Sequence, residues 1–257
     1  MITIFDWFGL NLPIYERYGL IKQAGFEGVM IWWSDENGKA DYRLQPQYAR
    51  SAGLIIENMH TPFEDINNIW LDNLEGEALA ANMIRCVEDC SLFEIPCMIM
   101  HVSKSDNPPP FNKLGLDRFK RIVEGGERLG VNIAVENTRK TEYLSFVLNG
   151  IDSKRIGFCY DSEHHNCHTP KDDLLSMFGS KLMALHLHDN DGSDDQHLLP
   201  FDGTCQWSNV MKQINDAGYK GPVALEVNNR GYEHLTPEEL LRICFKRAKQ
   251  LKELMNL

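Results

Sequence analysis

The segment from Leu185 to Pro200, LHLHDNDGSDDQHLLP, crowds histidines and aspartates into sixteen positions. Such a run is a solvated acidic loop by default, and it becomes a metal site only where the chain sets further donors beside it. Short apolar runs end in His60, His101, Glu136, Asp161, His186 or His188, and Glu226. Taken singly, a histidine closing a strand reads as a hydrogen-bonded structural residue, and a glutamate after such a run as an exposed strand end. Six ionisable groups converging on one place need a counter-charge, because desolvated like charges repel. A divalent cation is the simplest one. Glu136, Asp161, His186 and Glu226 would offer it three carboxylates and one imidazole, a set that suits Mn²⁺, Co²⁺, Mg²⁺ or Zn²⁺. Three carboxylates leave negative charge to spare, so a glutamate can double as proton acceptor when a substrate binds.

These residues share a site only if the chain lays their runs side by side. Eight short runs recur: ITIFDWF, GVMIWW, GLIIENMH, PCMIMHV, VNIAVEN, RIGFCYD, LMALHLH and PVALEV, with the low charge of buried parallel strands. Helical periods separate them. Residues 75–94 align Leu79, Met83, Cys86, Val87, Cys90 and Phe93; residues 236–255 align Leu240, Leu241, Cys244, Ala248, Leu251 and Met255. The second begins with a capping box, Thr236-Pro237-Glu238-Glu239, with proline at the first helical position. The segment DNPPPFN, 106–112, reads as a long loop after the fourth strand. Eight β/α units in 257 residues predict one domain over residues 1–257, a single (β/α)8 TIM barrel, with a doubly wound sheet as the alternative. In such a barrel the site forms where the strands end.

The motifs IAVEN, CYDSEHHN, LHLHDND with DQHLLP, and VALEV resemble those of the xylose isomerase-like barrels, over nearly the whole chain. That superfamily holds sugar isomerases and 3-epimerases, hydroxypyruvate isomerase, inosose dehydratase and AP endonucleases of the endonuclease IV type. The resemblance implies that Glu136 and Glu226 are both metal ligands and acid/base groups. Asp161 matches the aspartate of a D-x-x-H motif whose histidine, His164, contacts substrate in the epimerases. The strand-seven ligand opens an H-x-x-D pattern, which His186 fits best and His188 second. Asp195-Gln196-His197 resembles the pair that holds a further zinc in endonuclease IV, where His60, His101 and His164 would complete a trinuclear centre.

The expected activity is therefore metal-dependent isomerisation or 3-epimerisation of a sugar or sugar phosphate, by proton transfer through an enediolate. Trp7, Phe8, Trp32 and Trp33 are expected at the rim against the apolar face of a sugar, with at least one of them filling core instead. The alternatives are a trinuclear zinc phosphodiesterase and an inosose-type dehydratase, with a non-catalytic binding barrel as a third class. The stretches WWSDENGKADYR and TPFEDINN, acidic where DNA-cleaving relatives are basic, argue against a nucleic-acid partner. His60, His101, His164, His188, Asp195 and His197 are then expected mainly around one tight metal, as hydrogen-bonding and substrate-contacting groups or ligands of additional zinc. Two departures bear on the substrate: HLLPFDGTCQW carries Phe201 and Asp202 where the family has a small and an acidic residue, and residues 189–206 lack the arginine of the sugar 3-epimerases.

Composition bounds the setting. The net charge of −11 disfavours polyanions, and no apolar run is long enough to span a membrane. Seven cysteines without a CxxC pair argue for a reducing, cytoplasmic location, as does an N-terminus lacking the marks of a signal peptide. A homo-oligomer stays open.

Overall fold

The computed structural model describes residues 1–34 and 42–255. Part of the acidic stretch after the second strand, residues 35–41, lies outside them. Eight strands follow in order: β1 Ile2–Phe5, β2 Gly28–Trp32, β3 Ile55–His60, β4 Cys97–His101, β5 Asn132–Glu136, β6 Ile156–Asp161, β7 Leu182–His186 and β8 Val223–Leu225. The helices are α1 Ile14–Ala24, α2 Gln45–Ser51, α3 Leu74–Leu92, α4 Lys113–Leu129, α5 Thr141–Gly150, α6 Ser162–His168, α7 Leu174–Phe178, α8 Trp207–Asp216 and α9 Pro237–Leu254. The strands form a parallel sheet in the order β7-β6-β5-β4-β3-β2-β1-β8. It closes through Leu187, whose N–H donates to the Ala224 carbonyl at 2.9 Å and whose carbonyl accepts from the Glu226 N–H at 3.2 Å. The result is a single (β/α)8 barrel.

Side chains alternate along each strand, so one set faces the helices and the other the barrel axis. Met98, Met100, Ile133 and Val135 belong to the large core under the helices. Cys97, Ile99, Ala134, Cys159 and Ala184 form a separate small cluster inside the barrel. The same alternation carries His101, Glu136, Asp161 and His186, two residues beyond Ile99, Ala134, Cys159 and Ala184, to the mouth. Near the opposite end, Glu57 is the extra residue of a bulge, since Val29 pairs with Ile56 and Met30 with Asn58. The Thr3 hydroxyl donates to Glu57 Oε2, while Oε1 is sealed without a partner. Burial pushes this carboxyl up to about 7.

The local signals act as their chemistry requires. Thr236 accepts from the Glu239 N–H, and the Glu239 side chain returns to the Thr236 N–H, closing the capping box that starts α9. Gly130 ends α4 at φ +76°, a left-handed conformation that glycine reaches without a Cβ clash. All seven cysteines are unpaired, and Cys86 and Cys90 lie in the core as their spacing predicts. No helix among the described residues is long and apolar enough to cross a membrane.

Candidate metal centre and active site

Glu136 stands at the middle of the mouth and is almost wholly buried. Its Oε2 lies 3.2 Å from His60 Nε2 and 3.1 Å from His186 Nδ1. Its Oε1 lies 3.4 Å from His101 Nε2 and 3.0 Å from His164 Nδ1. Across the barrel seam, Glu226 Oε2 approaches His186 Nδ1 to 2.8 Å. Despite these distances, both ring nitrogens of His186 lack a hydrogen bond. Two carboxylates thus crowd one imidazole nitrogen at the centre of the mouth.

Three further histidines anchor Nδ1 on a backbone carbonyl. His60 Nδ1 sits 2.8 Å from the Thr61 carbonyl, His164 Nδ1 2.9 Å from that of Asn137, and His197 Nδ1 2.8 Å from that of Glu226. The Nε2 atoms of the three rings face carboxylates instead, Glu136 for His60 at 3.2 Å and Asp195 for His197 and His164 at 3.2 and 3.7 Å. Ligand atoms within 4.8 Å of one another occur in the sets Asp161–His186–Glu226, His60–His101–Glu136 and Glu136–Asp161–His164. Asp161, His186 and Glu226 share one set, and Glu136 joins His186 in another that includes Cys159, so the donors expected around one metal are neighbours and their chemistry fits a divalent cation.

Within strand seven the two histidines part. His186 faces Glu136 and Glu226, whereas His188 lies beyond the strand with Nε2 2.8 Å from Asp161 Oδ2 and Nδ1 2.5 Å from Glu163 Oε2. Asp195 and His197 join His188 and Glu163 in a fourth set, and the His188 and His197 rings stack at 4.4 Å. His164, expected beside Asp195 and His197, reaches Asp195 only at 3.7 Å.

Electrostatics follow from this crowding. Burial works against protonation of His164, His186 and His188, but nearby acids outweigh it and hold all three well above the ordinary imidazole value. Asp161 acts most on His164 and His188, and Cys159 with Glu226 on His186. Burial would raise Glu226, yet His186 beside it draws it down to about 2. Glu136 is held well below the carboxylate range by His101 and His186, again against burial. His101 is lowered instead, burial outweighing Glu136. A mouth of this kind needs positive charge, from protonated rings or from a cation.

Sequence reasoning missed three supports. Glu163, fully buried in the first turn of α6, accepts the Gln196 and His197 N–H groups and so pins the loop that carries Asp195 and His197. Asp189 accepts from Asn190 and Cys205 N–H and from the Trp207 indole, tying the same loop to α8. Asn137 exchanges two bonds with the Asp161 backbone, at 2.8 and 2.9 Å. Two residues expected at the rim are elsewhere, and of these Trp33 is buried against Tyr42 and Phe93 with its indole on Asp89. Consecutive strand residues face opposite sides, so Trp32 and Trp33 cannot both line the mouth. Phe8 is core as well, whereas Trp7 and Trp32 do reach the cavity. Asp6 fixes Trp32, accepting its N–H at 2.9 Å and the Tyr18 hydroxyl at 2.7 Å.

Two cavities open over these groups and share Phe63, His197 and Glu226. One, of about 250 Å³, is walled by Phe5, Trp7, Trp32, His60 and Asn228. The other, of about 110 Å³, runs past His101, Glu136 and His164 to the loops after β4 and β5.

A family model described as xylose isomerase-like TIM barrel matches residues 19–253. An uncharacterized protein of Sinorhizobium fredii is 39% identical over 276 residues, covering 88% of this chain and 86% of its own. Fructoselysine 3-epimerase of Escherichia coli O157:H7 is 39% identical over 58 residues, 23% of this chain and 21% of that one. Among solved structures, the IolI protein with a bound zinc atom superposes with a TM-score of 0.81 at 15% identity over 98% of both chains. D-psicose 3-epimerase of Clostridium cellulolyticum H10 with D-tagatose gives 0.81 at 13% identity over 99% of both.

Proposed function

This chain belongs to the xylose isomerase-like TIM barrel family, and from that membership and the geometry of its mouth we propose a divalent-metal-dependent sugar or sugar-phosphate isomerase or 3-epimerase. The observation that carries the reading is the pair of carboxylates, Glu136 and Glu226, flanking His186 at 3.1 and 2.8 Å beneath an aromatic-walled cavity. Glu136, Asp161, His186 and Glu226 would hold the metal. A bound cation there supplies charge that polarises a carbonyl and its neighbouring hydroxyl. Glu226, open to both cavities, removes the proton from the hydroxyl-bearing carbon next to the carbonyl, and Glu136 faces the same volume from across the mouth. Delivery of that proton by the same carboxylate to the former carbonyl carbon, with the hydroxyl proton passing to the former carbonyl oxygen, gives isomerisation, whereas delivery of a proton by the opposite carboxylate to the other face of the original carbon gives epimerisation there. Trp7 and Trp32 receive the apolar face of the sugar, and His60, His164 and His197, which line the two cavities, stand beside its hydroxyls. The names of the E. coli and Clostridium proteins, both 3-epimerases, support this reading.

The two further ligand sets, His60–His101–Glu136 and Glu163–His188–Asp195–His197, favour a second reading, the multinuclear zinc phosphodiesterase. An inosose-type dehydratase would use the same first proton abstraction. Metal content of the purified protein separates the first two: one tight equivalent is expected, whereas three zinc equivalents with cleavage of abasic DNA would refute the sugar enzyme. Glu226→Gln keeps an oxygen for the metal but cannot carry a proton near pH 7, so turnover should fall by at least about 10³-fold with metal content and melting temperature retained. Near-full activity would remove Glu226 from the mechanism.

A further inference from the structure

The space over Glu226 is asymmetric in charge. On one side Trp7, Trp32 and Phe5 offer ring surface, and no lysine or arginine among the described residues lines that cavity, Arg17 lying buried against the Trp7 ring. On the other, Ser103 and Lys104 after β4 and Thr138 and Arg139 after β5 form the wall. In a chain of net charge −11 this places two cations at the rim of an acidic cluster.

Neither cation is committed to a buried partner. The Lys104 ammonium lies over the Phe63 ring, 5.2 Å from its centroid, and Phe63 in turn stacks on His101 at 4.2 Å. Among the described residues no carboxylate forms an ion pair with Lys104. Arg139 meets Asp106 at 2.9 Å, but that carboxylate is 73% exposed, so water screens the pair and a better-held anion can displace it.

The basic wall is also rigid where surface lysines are loose. Asn67 clamps the Lys104 backbone from both sides, donating to its carbonyl and accepting its N–H, each at 2.8 Å. Ser105 beside it holds φ +73°, a left-handed conformation that a non-glycine residue keeps only where its surroundings impose it. Ser103 is fully buried, and its hydroxyl lies 3.2 Å from that of Thr138, which joins the two loops. The wall thus sets an ammonium held by no carboxylate among the described residues beside a guanidinium whose one carboxylate partner is largely exposed, and both can turn to an anion in the cavity.

We propose that this limb is an oxyanion subsite, so that the substrate carries a phosphate ester or a carboxylate at the end remote from the carbon served by Glu226. The assignment deepens the proposed function and rests on it, since it names the far end of the same substrate. Lys104 supplies a point charge and Arg139 a bidentate fork, while the aromatic limb takes the uncharged end.

The test uses the metal-loaded full chain and follows solvent deuterium entering the substrate carbon. Ketoses are compared as the free sugar, the terminal phosphate ester and the corresponding uronate, in the native protein, K104A, R139A and the double variant. The ester or the uronate should exceed the free sugar in kcat/KM by about tenfold or more, chiefly through KM. The double variant should bring that ratio toward one, with metal content and melting temperature unchanged. Which of the two charged compounds is preferred identifies the oxyanion. Equal kcat/KM for charged and free sugars in the native protein, or a ratio that survives the double substitution, would overturn the subsite while leaving the proposed function standing. If no sugar exchanges deuterium, the proposed function fails, and inorganic phosphate then decides the subsite alone. Thermal stabilisation by phosphate that the double variant loses supports it, and equal stabilisation of both proteins overturns it. Abasic-DNA cleavage that depends on Lys104 and Arg139 would reassign the limb to nucleic-acid phosphate and overturn the small-molecule assignment.

Discussion

Glutamine in place of Glu57 should stabilise the barrel at alkaline pH and do nothing at acid pH. Unfolded, this carboxyl ionises near 4.5; folded, burial at the β2–β3 bulge raises it to about 7. Below pH 4.5 both forms are protonated and no penalty exists. Between the two values the unfolded chain releases its proton first, so stability falls as pH rises, and above about 7 the loss is constant. A shift from 4.5 to about 7 corresponds to about 3 kcal/mol, an upper figure because the residue is part-exposed even though Oε1 is sealed. Glutamine keeps an acceptor for the Thr3 hydroxyl and has no charge to bury. The melting temperature of Glu57→Gln, relative to the native protein, should therefore climb by up to about 6–12 °C between pH 4.5 and 8. Metal affinity also changes with pH, but it changes in both proteins and cancels in the difference. A difference between the two that is flat across this range would refute the reasoning.

Glu163→Gln should free the loop that carries Asp195 and His197, since it weakens the acceptor of two backbone N–H groups and the partner of His188. Hydrogen exchange at residues 195–198 should accelerate while the α9 core stays protected, and unchanged exchange there would count against the pinning role. Trp33→Ala should cost about 3–5 kcal/mol in denaturant unfolding, as loss of a buried indole does, with KM unchanged. Trp7→Leu should show the opposite pattern, and a KM effect confined to Trp33 would reverse the assignment of the two residues. Removing metal with a chelator should lower stability by about 4 kcal/mol where free metal exceeds its Kd a thousandfold. Identical melting curves with and without chelator would contradict a bound cation.

The barrel was legible because its periodicities are strong and local: the runs ending in His60, His101, Glu136, Asp161 and His186 become strands ending at those residues. Glu226 falls one residue past β8, whose three-residue length no local signal marks. Glu163 was not legible. It lies between Asp161 and His164 in a motif that draws attention to its ends, and its burial depends on a loop more than thirty residues away folding back over α6. Asp189 closes the H-x-x-D pattern that His186 opens, but its part as an anchor was not legible, since the path of residues 201–207 supplies its partners. The Trp32-Trp33 pair could have been divided from sequence, because strand alternation sends neighbours to opposite faces. Which of the two faces the mouth depended on register, and Asp6 helps set that by accepting the Trp32 N–H.

The two limbs over Glu226 are built by different loops: the aromatic wall from the ends of β1, β2 and β8, the polar wall from the segments after β4 and β5. Apart from Phe63, His197 and Glu226, they have no lining residue in common. Each wall is therefore a separable unit of heredity. Exchanging the segment that holds Lys104 alters what grips one end of a ligand while the ionisable cluster and the opposite wall keep their supports. A barrel organised in this way can diversify its diet one end at a time, without passing through an ancestor that has lost its chemistry.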